Sequence, residues 1–106
     1  MLRKKVRGYV VLSTIGSHRK ARVLASALVK ERLAACVNIV SGVRSVYIWK
    51  NRFCEDREFL LVIKTSKARL NRLIARIEEI HPYELPEVIA LPIDVGARKY
   101  LRWIEG

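Results

Sequence analysis

The sequence predicts an α+β fold of the ferredoxin-like, split βαβ type: a four-stranded antiparallel sheet with helices packed on one face. Two observations support this. Four apolar segments have strand character and three have helical spacing, in the order strand, helix, strand, strand, helix, strand, helix. A turn signal at residues 50–52 joins the two middle strands as a hairpin. Right-handed crossovers then place both main helices on one face, within a single domain of 106 residues.

The first third of the chain predicts a strand followed by a helix. Residues 6–15 form an apolar run that ends at Gly16, and Ser17 is a suitable N-cap for the helix that follows. We expect this helix to end near Leu33. Its buried stripe is Ala21, Leu24, Ala25 and Leu28.

The middle of the chain predicts a long hairpin. Residues 36–49 read as one strand, bent at Ser41 and Gly42, and residues 53–64 pair back against it. Asn51 lies in the tight turn between the strands, where it can adopt a left-handed conformation.

The last third predicts a helix, a strand and a short final helix. Thr65 and Ser66 are expected to cap the second helix, which ends at about residue 80 or 81 because Pro82 disfavours the helical conformation of the residue before it. Residues 88–93 form the fourth strand. The stripe of the second helix is Leu70, Leu73, Ile74 and Ile77, and that of the third is Ala97, Tyr100, Leu101 and Ile104.

The strands predict self-association. A sheet with helices on one face should alternate apolar and polar residues, yet residues 9–12 and 59–63 are continuous apolar runs. The short third helix can cover only part of the second face. Each large side chain left in water costs roughly 1.5–3 kcal/mol, so other copies of the chain are expected to cover the rest.

The net charge of +11 bears on the partner class. Residues 1–30 contain eight Lys or Arg and no acid, which is compatible with a nucleic-acid partner. However, basic residues are spread over all the predicted elements, whereas a nucleic-acid footprint is clustered. Nucleic-acid binding is therefore the alternative function. The absence of Gln and the charge on every helix are also typical of thermostable proteins.

The sequence predicts a cytoplasmic protein without membrane segments. No apolar run approaches the ~20 residues of a membrane helix. The basic start, residues 1–7, resembles a signal peptide, but the apolar stretch after it ends by Ile15 and is too short. Cys36 and Cys54 have neither metal-ligand spacing nor a disulfide framework, so both are expected to be reduced thiols.

Residues 81–87, His-Pro-Tyr-Glu-Leu-Pro-Glu, are the most informative segment. An imidazole, a phenol and two carboxylates lie among prolines, between a helix and a strand. A stiff, polar and aromatic connection between two apolar elements is a natural place for a binding site.

Four segments resemble the CutA family of divalent-cation tolerance proteins: residues 33–39, 45–49, 63–65 and 81–93. Their order and spacing fit from about Tyr9 to the C-terminus. The resemblance implies a ferredoxin-like homotrimer with clefts between subunits, similar in shape to PII signalling proteins. It also implies binding of a divalent cation of the copper class or of a small ligand, in metal tolerance, homeostasis or signalling. No catalytic reaction is implied, and the metal is not expected to be required for folding.

The resemblance also implies the site residues. The positions that gather near the family's inter-subunit cleft are Cys36, Tyr47, Trp49, Lys64, His81, Tyr83 and Glu84. His81 is the candidate metal ligand. Some metal-binding members have a Cys and a second His where this chain has Ser13 and Ile80, which are poor ligands for a soft metal.

Structural alternatives remain open for these residues. His81 can cap the last carbonyls of the second helix instead of binding metal. Tyr83 can pack with its hydroxyl bonded to one partner, and Glu84 can pair with a basic residue. Trp49 can anchor an interface or pack on a neighbouring Lys or Arg stem, and Cys36 can be a small core residue. A hydrolase is the least favoured function, since no obvious nucleophile or Gly-rich phosphate loop is present.

Overall fold

The computed structural model describes residues 6–106 and has the predicted element order. The four strands form one antiparallel sheet in the order β2-β3-β1-β4, so the predicted α+β ferredoxin-like fold is confirmed. Residues 1–5, which carry part of the cytoplasmic prediction, lie outside the described residues. The elements are β1 Gly8–Ile15, α1 His18–Lys30, β2 Cys36–Trp49, β3 Arg52–Ser66, α2 Leu70–Ile80, β4 Ile89–Pro92 and α3 Arg98–Glu105.

Both ends of α1 are set by local hydrogen bonds. The Ser17 hydroxyl accepts the Lys20 backbone N–H at 3.1 Å, so the predicted N-cap is confirmed. The helix ends earlier than the predicted Leu33, because Arg32 adopts a φ of 60° and the Leu33 N–H turns back to the Leu28 carbonyl at 2.9 Å. This is the Schellman pattern of a helix C-terminus.

The predicted hairpin is confirmed in its turn and its bend. Lys50 and Asn51 have φ values of 51° and 64°, as a two-residue turn between antiparallel strands requires. The pairing register of β2 and β3 shifts between Val40 and Val43, where Gly42 has a φ of +79°. A left-handed glycine at this point lets the strand bend without steric strain.

The prediction that Thr65 and Ser66 cap the second helix is wrong. Both residues extend β3, where Ser66 pairs with Gly8 of β1. The Thr65 hydroxyl donates to the Leu33 carbonyl at 2.6 Å instead. The N-cap of α2 is Arg69, which makes no side-chain capping bond. Eight residues of pairing with β1 outweigh one local cap, because each ladder bond satisfies buried backbone groups.

The core lies between the sheet and the two main helices. Alternate residues of β1 and β3 point toward α1 and α2, in keeping with the period of a strand. The side chains with at most 1% exposure in this cluster are Val11, Ile15, Ala21, Leu28, Leu61, Ile63, Leu73 and Ile77.

The second face of the sheet is covered in part by α3, as predicted. Ile104 of α3 is 1% exposed, and a Cβ at Gly8 would lie 3.6 Å from its Cγ2 atom. Farther along β1 on the same face, Val10 and Leu12 are half-buried. Among residues 6–106, no helix has the length and apolar character needed to cross a membrane.

Residues 43–58 form a two-stranded ribbon that extends beyond the part of β3 paired with β1. Its apolar side chains are exposed: Val46 by 60%, Ile48 by 73% and Phe53 by 72%. The edge strand β4 also exposes Ile89 and Leu91, by 52% and 51%.

Candidate functional site

An open cavity of about 870 Å³ lies between the ribbon, the end of β1 and the loop after α2. The chain has 21 Lys and Arg residues against 10 Asp and Glu, yet the cavity wall concentrates carboxylates, with Arg57 as its basic residue. Four of the ten acids line it, namely Asp56, Glu58, Glu84 and Glu87. A cavity with this balance favours cationic ligands over anionic ones.

Three aromatic side chains complete the wall: Tyr47, Trp49 and Tyr83. Lys50 links the ribbon to the loop after α2, since its Nζ lies 5.5 Å from the Trp49 ring and 3.3 Å from the Glu84 carboxylate. The pairing of Glu84 with a basic residue, one of the predicted alternatives, is thus confirmed. Both partners are largely exposed, so this ion pair contributes little to stability.

His81 positions Tyr83. Its Nε2 donates to the Thr14 carbonyl at 2.8 Å, and its Nδ1 accepts the Tyr83 backbone N–H at 3.1 Å. A carbonyl can only accept and an N–H can only donate, so the imidazole is the neutral Nε2–H tautomer. The two rings lie edge to face with centroids 4.6 Å apart. His81 therefore fixes the loop against β1.

The side chain of His81 does not cap α2, so that alternative is wrong. The backbone N–H of His81 donates to the Ile77 carbonyl at 2.8 Å, but the residue is only 7% exposed and its ring bonds to β1. A metal ion could bind His81 only after one of the two ring hydrogen bonds broke. The metal role of His81 stays a prediction that the arrangement within one chain does not support.

Two phenols donate to two carboxylates in the cavity. Tyr83 donates to Glu58 at 2.6 Å, and Tyr47 donates to Asp56. Burial, and then the bond to Glu58, raises the pKa of Tyr83, while the bond to Asp56 raises the pKa of Tyr47 to about 12. Both phenols therefore stay protonated at neutral pH. Each bond uses one carboxylate oxygen, which leaves the other free to face a cation.

The structure divides the seven predicted site residues. Tyr47, Trp49, Tyr83 and Glu84 line the cavity, and His81 lies behind it. Cys36 and Lys64 do not reach it. They pair across β2 and β3 at the far end of the hairpin, where Lys64 bonds Asn38.

The distance along β2 explains this division. Cys36 and Tyr47 lie eleven positions apart on one strand, which corresponds to roughly 35 Å at the usual rise. Within one chain, Cys36 therefore cannot share a ligand with the cavity. Its half-buried thiol lies 4.0 Å from the Asn38 amide oxygen, in place of the expected core position.

Sequence reasoning missed Asp56 and Glu58 as site residues. They lie two positions apart on β3, so both point to the same face of the ribbon. Two acids on one strand face, next to a continuous apolar run, are the signal that was available. Glu58 is 7% exposed, which is unusual for a carboxylate and marks it as part of a built site.

Within one chain, residues 6–106 form no three-ligand site for copper or for any other metal ion. In the described part, residues 6–106, no three His, Cys, Asp or Glu side chains are arranged to hold one ion. Ser13, at a position expected to carry a soft ligand in other proteins, is fully buried, and its hydroxyl has no hydrogen-bond partner among these residues. Soft nitrogen and sulfur donors, which copper prefers, are thus not assembled.

The fold is that of a ferredoxin-like protein, and the acidic, aromatic cavity is its candidate functional site. The family model described as CutA1 divalent ion tolerance protein matches residues 9–106. The chain therefore belongs to the CutA1 divalent ion tolerance family, as its sequence motifs indicated.

Three similar proteins illustrate the match. The divalent-cation tolerance protein CutA of Thermus thermophilus is 50% identical over 95 residues, which are 90% of this chain and 92% of that protein. The chloroplastic protein CutA of Arabidopsis thaliana is 45% identical over 96% of this chain, which spans only 56% of its length. The crystal structure of CutA1 from Oryza sativa has a TM-score of 0.90 and 44% identity, covering 94% of this chain and 92% of that one.

Proposed function

We propose that this protein binds a divalent cation, or a small cationic ligand, in the acidic cavity beside the ribbon. The observation that carries the proposal is the concentration of four of the chain's ten acids in one cavity, although the net charge is +11. Surplus positive charge elsewhere would repel a cation, so a local group of carboxylates is what selective binding requires.

The donors favour a hard cation. Carboxylate and phenol oxygens suit ions such as Mg²⁺ or Mn²⁺, whereas copper prefers imidazole and thiolate ligands. Copper binding, as implied by the family resemblance, would therefore need donors from a neighbouring subunit. For either ion, the carboxylates of Asp56 and Glu58 would fill only part of the coordination sphere. Water or side chains of a second chain would have to fill the remaining positions.

The proposal places the cavity in a cleft between subunits of a homotrimer. Both sheet edges, β2 and β4, are open for pairing. The large exposed apolar side chains of the ribbon and of β4 are available for such an interface. Burying them would remove apolar surface from water at about 25 cal/mol per Å², and exposed edge strands pair readily with one another.

The physiological role that we propose is divalent metal tolerance or homeostasis, or signalling, in the cytoplasm and without catalytic turnover. The names of the relatives support the first part, since the Thermus thermophilus protein is named for divalent-cation tolerance.

Calorimetric titration with MnCl₂ tests the cavity. Glu58→Gln keeps an oxygen that can accept the Tyr83 hydroxyl but removes the charge facing the cavity. We expect it to weaken Mn²⁺ binding by at least about tenfold, a typical loss when a group supporting a metal site is altered. The control is Glu78→Gln, an exposed acid on α2, which should bind like the wild type.

Titration with copper is the second test of the carboxylate site. Titration with CuCl₂ should show weak binding, because His81 is held by two hydrogen bonds and Cys36 is remote. Tight Cu²⁺ binding that is lost in His81→Ala but kept in Glu58→Gln would move the site away from the carboxylates. Equal Mn²⁺ binding by wild type and Glu58→Gln would have the same consequence.

Light scattering at ~0.1 M salt tests the assembly, with salt sufficient to screen the like charges of the subunits. The wild type should have the mass of three chains. Ile48 and Phe53 face each other across the ribbon and are 73% and 72% exposed, so Ile48→Lys with Phe53→Lys should give monomers. Val23→Lys is the control, because Val23 is 64% exposed on α1 and belongs to neither the ribbon nor β4. A monomeric wild type would overturn the homotrimer.

A further inference from the structure

The exposed side of α1 carries a group of cationic and polar residues that the cavity does not use. The helix buries Ala21, Leu24, Ala25 and Leu28 and contains no acidic residue. We define the α1 basic face as its exposed polar residues next to one shallow groove of about 570 Å³: His18, Arg19, Arg22, Ser26 and Lys30.

In the described part of the chain, no acidic side chain balances the charges of the α1 basic face. Glu31, the acid that follows α1, is bonded to Arg76 at 2.9 and 3.0 Å. That bond lowers the pKa of Glu31, so the Glu31 carboxylate is negatively charged at neutral pH and is paired with Arg76. Within residues 6–106, the ion pairs do not include Arg19, Arg22 or Lys30. These cations therefore attract external anions.

The sequence of α1 also works against its own stability at the N-terminus. The first turn holds His18, Arg19 and Lys20 and no acid. The N-terminus of a helix is the positive end of its macrodipole, so cations are disfavoured there and acids are preferred. The Ser17 cap satisfies one backbone N–H of this turn but supplies no negative charge to offset the cations. A local rule broken in this way is typical of a functional surface. The same dipole adds to the attraction for phosphate groups.

The spacing of the α1 basic face suits a repeating anion. His18, Arg22, Ser26 and Lys30 lie four residues apart along α1, and Arg22 and Lys30 are the two cations of this row. Successive members are therefore about 6 Å apart along the helix, and the row is about 18 Å long. A single phosphate would use one position of such a row, whereas a nucleic-acid strand presents phosphates at a comparable repeat.

Other polyanionic partners fit this surface less well. A membrane-binding helix inserts several large apolar side chains, but Val23 is the large apolar residue of this groove. Single-stranded nucleic acids are bound by aromatic stacking, and the one aromatic ring here, His18, packs at 5.6 Å from Phe59. We propose that the α1 basic face binds the phosphate backbone of double-stranded nucleic acid without reading its bases.

Fluorescence anisotropy with a labelled DNA duplex of about 20 base pairs tests the proposal. If Arg19, Arg22 and Lys30 each neutralise one phosphate, the slope of log K against log salt is about −2.7. Affinity should then fall by about 40-fold between about 50 and about 200 mM salt. Arg19→Ala with Arg22→Ala should lower affinity by at least about tenfold and make the slope shallower by about 1.8.

The matched control removes the same charge from another helix. Arg98 and Arg102 are exposed on α3, and Arg98→Ala with Arg102→Ala should keep the wild-type affinity and slope. Alanine favours helix, so both variants should fold, as circular dichroism can check. Equal losses in the two variants would show binding by net charge alone and overturn the proposal.

Two further results would also overturn it. One is the absence of duplex binding by the wild type at about 50 mM salt. The other is α1-dependent binding to vesicles of anionic phospholipid without binding to the duplex, which would assign the surface to membranes. Neither result bears on Mn²⁺ binding by the cavity, whose test uses Glu58.

Discussion

The helix-covered part of the sheet and the ribbon have similar residues and opposite environments. Leu61 and Ile63 of β3, under α1 and α2, are fully buried. Ile48 and Phe53, farther along the same hairpin, are exposed by more than 70%. The difference shows that side-chain type does not decide burial. Burial depends instead on whether a helix of the same chain covers the strand. No helix within residues 6–106 covers the exposed apolar side chains of the ribbon.

The largest effect that would sharpen this comparison is a truncation in the covered part. Leu61→Ala removes a fully buried side chain and should reduce the free energy of unfolding by about 2–5 kcal/mol. Ile48→Ala makes a similar truncation on the ribbon. It should cost under about 0.5 kcal/mol in an isolated chain, and more when copies associate. Urea denaturation of both variants measures this difference.

Repeating the denaturation at several protein concentrations distinguishes a ribbon that is an interface between copies from a ribbon that stays in water. If the ribbon is an interface, the loss caused by Ile48→Ala should grow with protein concentration by mass action, whereas that of Leu61→Ala should not. A small effect of Ile48→Ala at every concentration would show that the ribbon stays in water. Losses of equal size at every concentration would mean that the ribbon is buried within one chain, and the comparison would fail.

A smaller effect is expected at the two tyrosine–carboxylate pairs, which differ in burial: Glu58 is buried and Asp56 is exposed. Tyr83→Phe removes the hydrogen-bond donor from Glu58, which is 7% exposed, and should cost about 1–3 kcal/mol because a buried acceptor loses its partner. Tyr47→Phe should cost less, since Asp56 is exposed and water can replace the hydroxyl. Urea denaturation at neutral pH compares the variants.

The pH dependence of this effect has a defined sign. The folded-state pKa of Tyr83 is raised above its unfolded value of about 10. The stability from the protonated phenol is therefore complete below about pH 10 and is lost as the pH rises toward the folded-state pKa. The difference between wild type and Tyr83→Phe should shrink above about pH 10. A difference that grew with alkaline pH would contradict the bond to Glu58.

Local signals in the sequence predicted most of the elements. Ser17, Gly42 and Asn51 each act on backbone within three residues of themselves, and each was predicted in the correct role. The error at Thr65 and Ser66 has the opposite origin. Both residues are good helix caps in isolation, but pairing with β1 places them in β3, and pairing depends on residues more than fifty positions away.

The candidate site shows the same distinction. Tyr83 and Glu84 were predicted because they lie in one short motif, and the structure places them at the cavity. Glu58 was missed because its relation to Tyr83 exists only across 25 residues of chain. Cys36 and Lys64 were included on resemblance, and the length of β2 separates them from the cavity.

Apolar periodicity, capping residues and turn residues were sufficient to specify the βαββαβ order, since these signals act over a few residues. The folded chain was needed to show that the His81 ring links Tyr83 to Thr14 by two hydrogen bonds and that Glu58 is buried. It was also needed to show that four of the ten acids of a basic protein meet in one cavity. These features depend on strand register and on packing between distant segments, which no local pattern encodes.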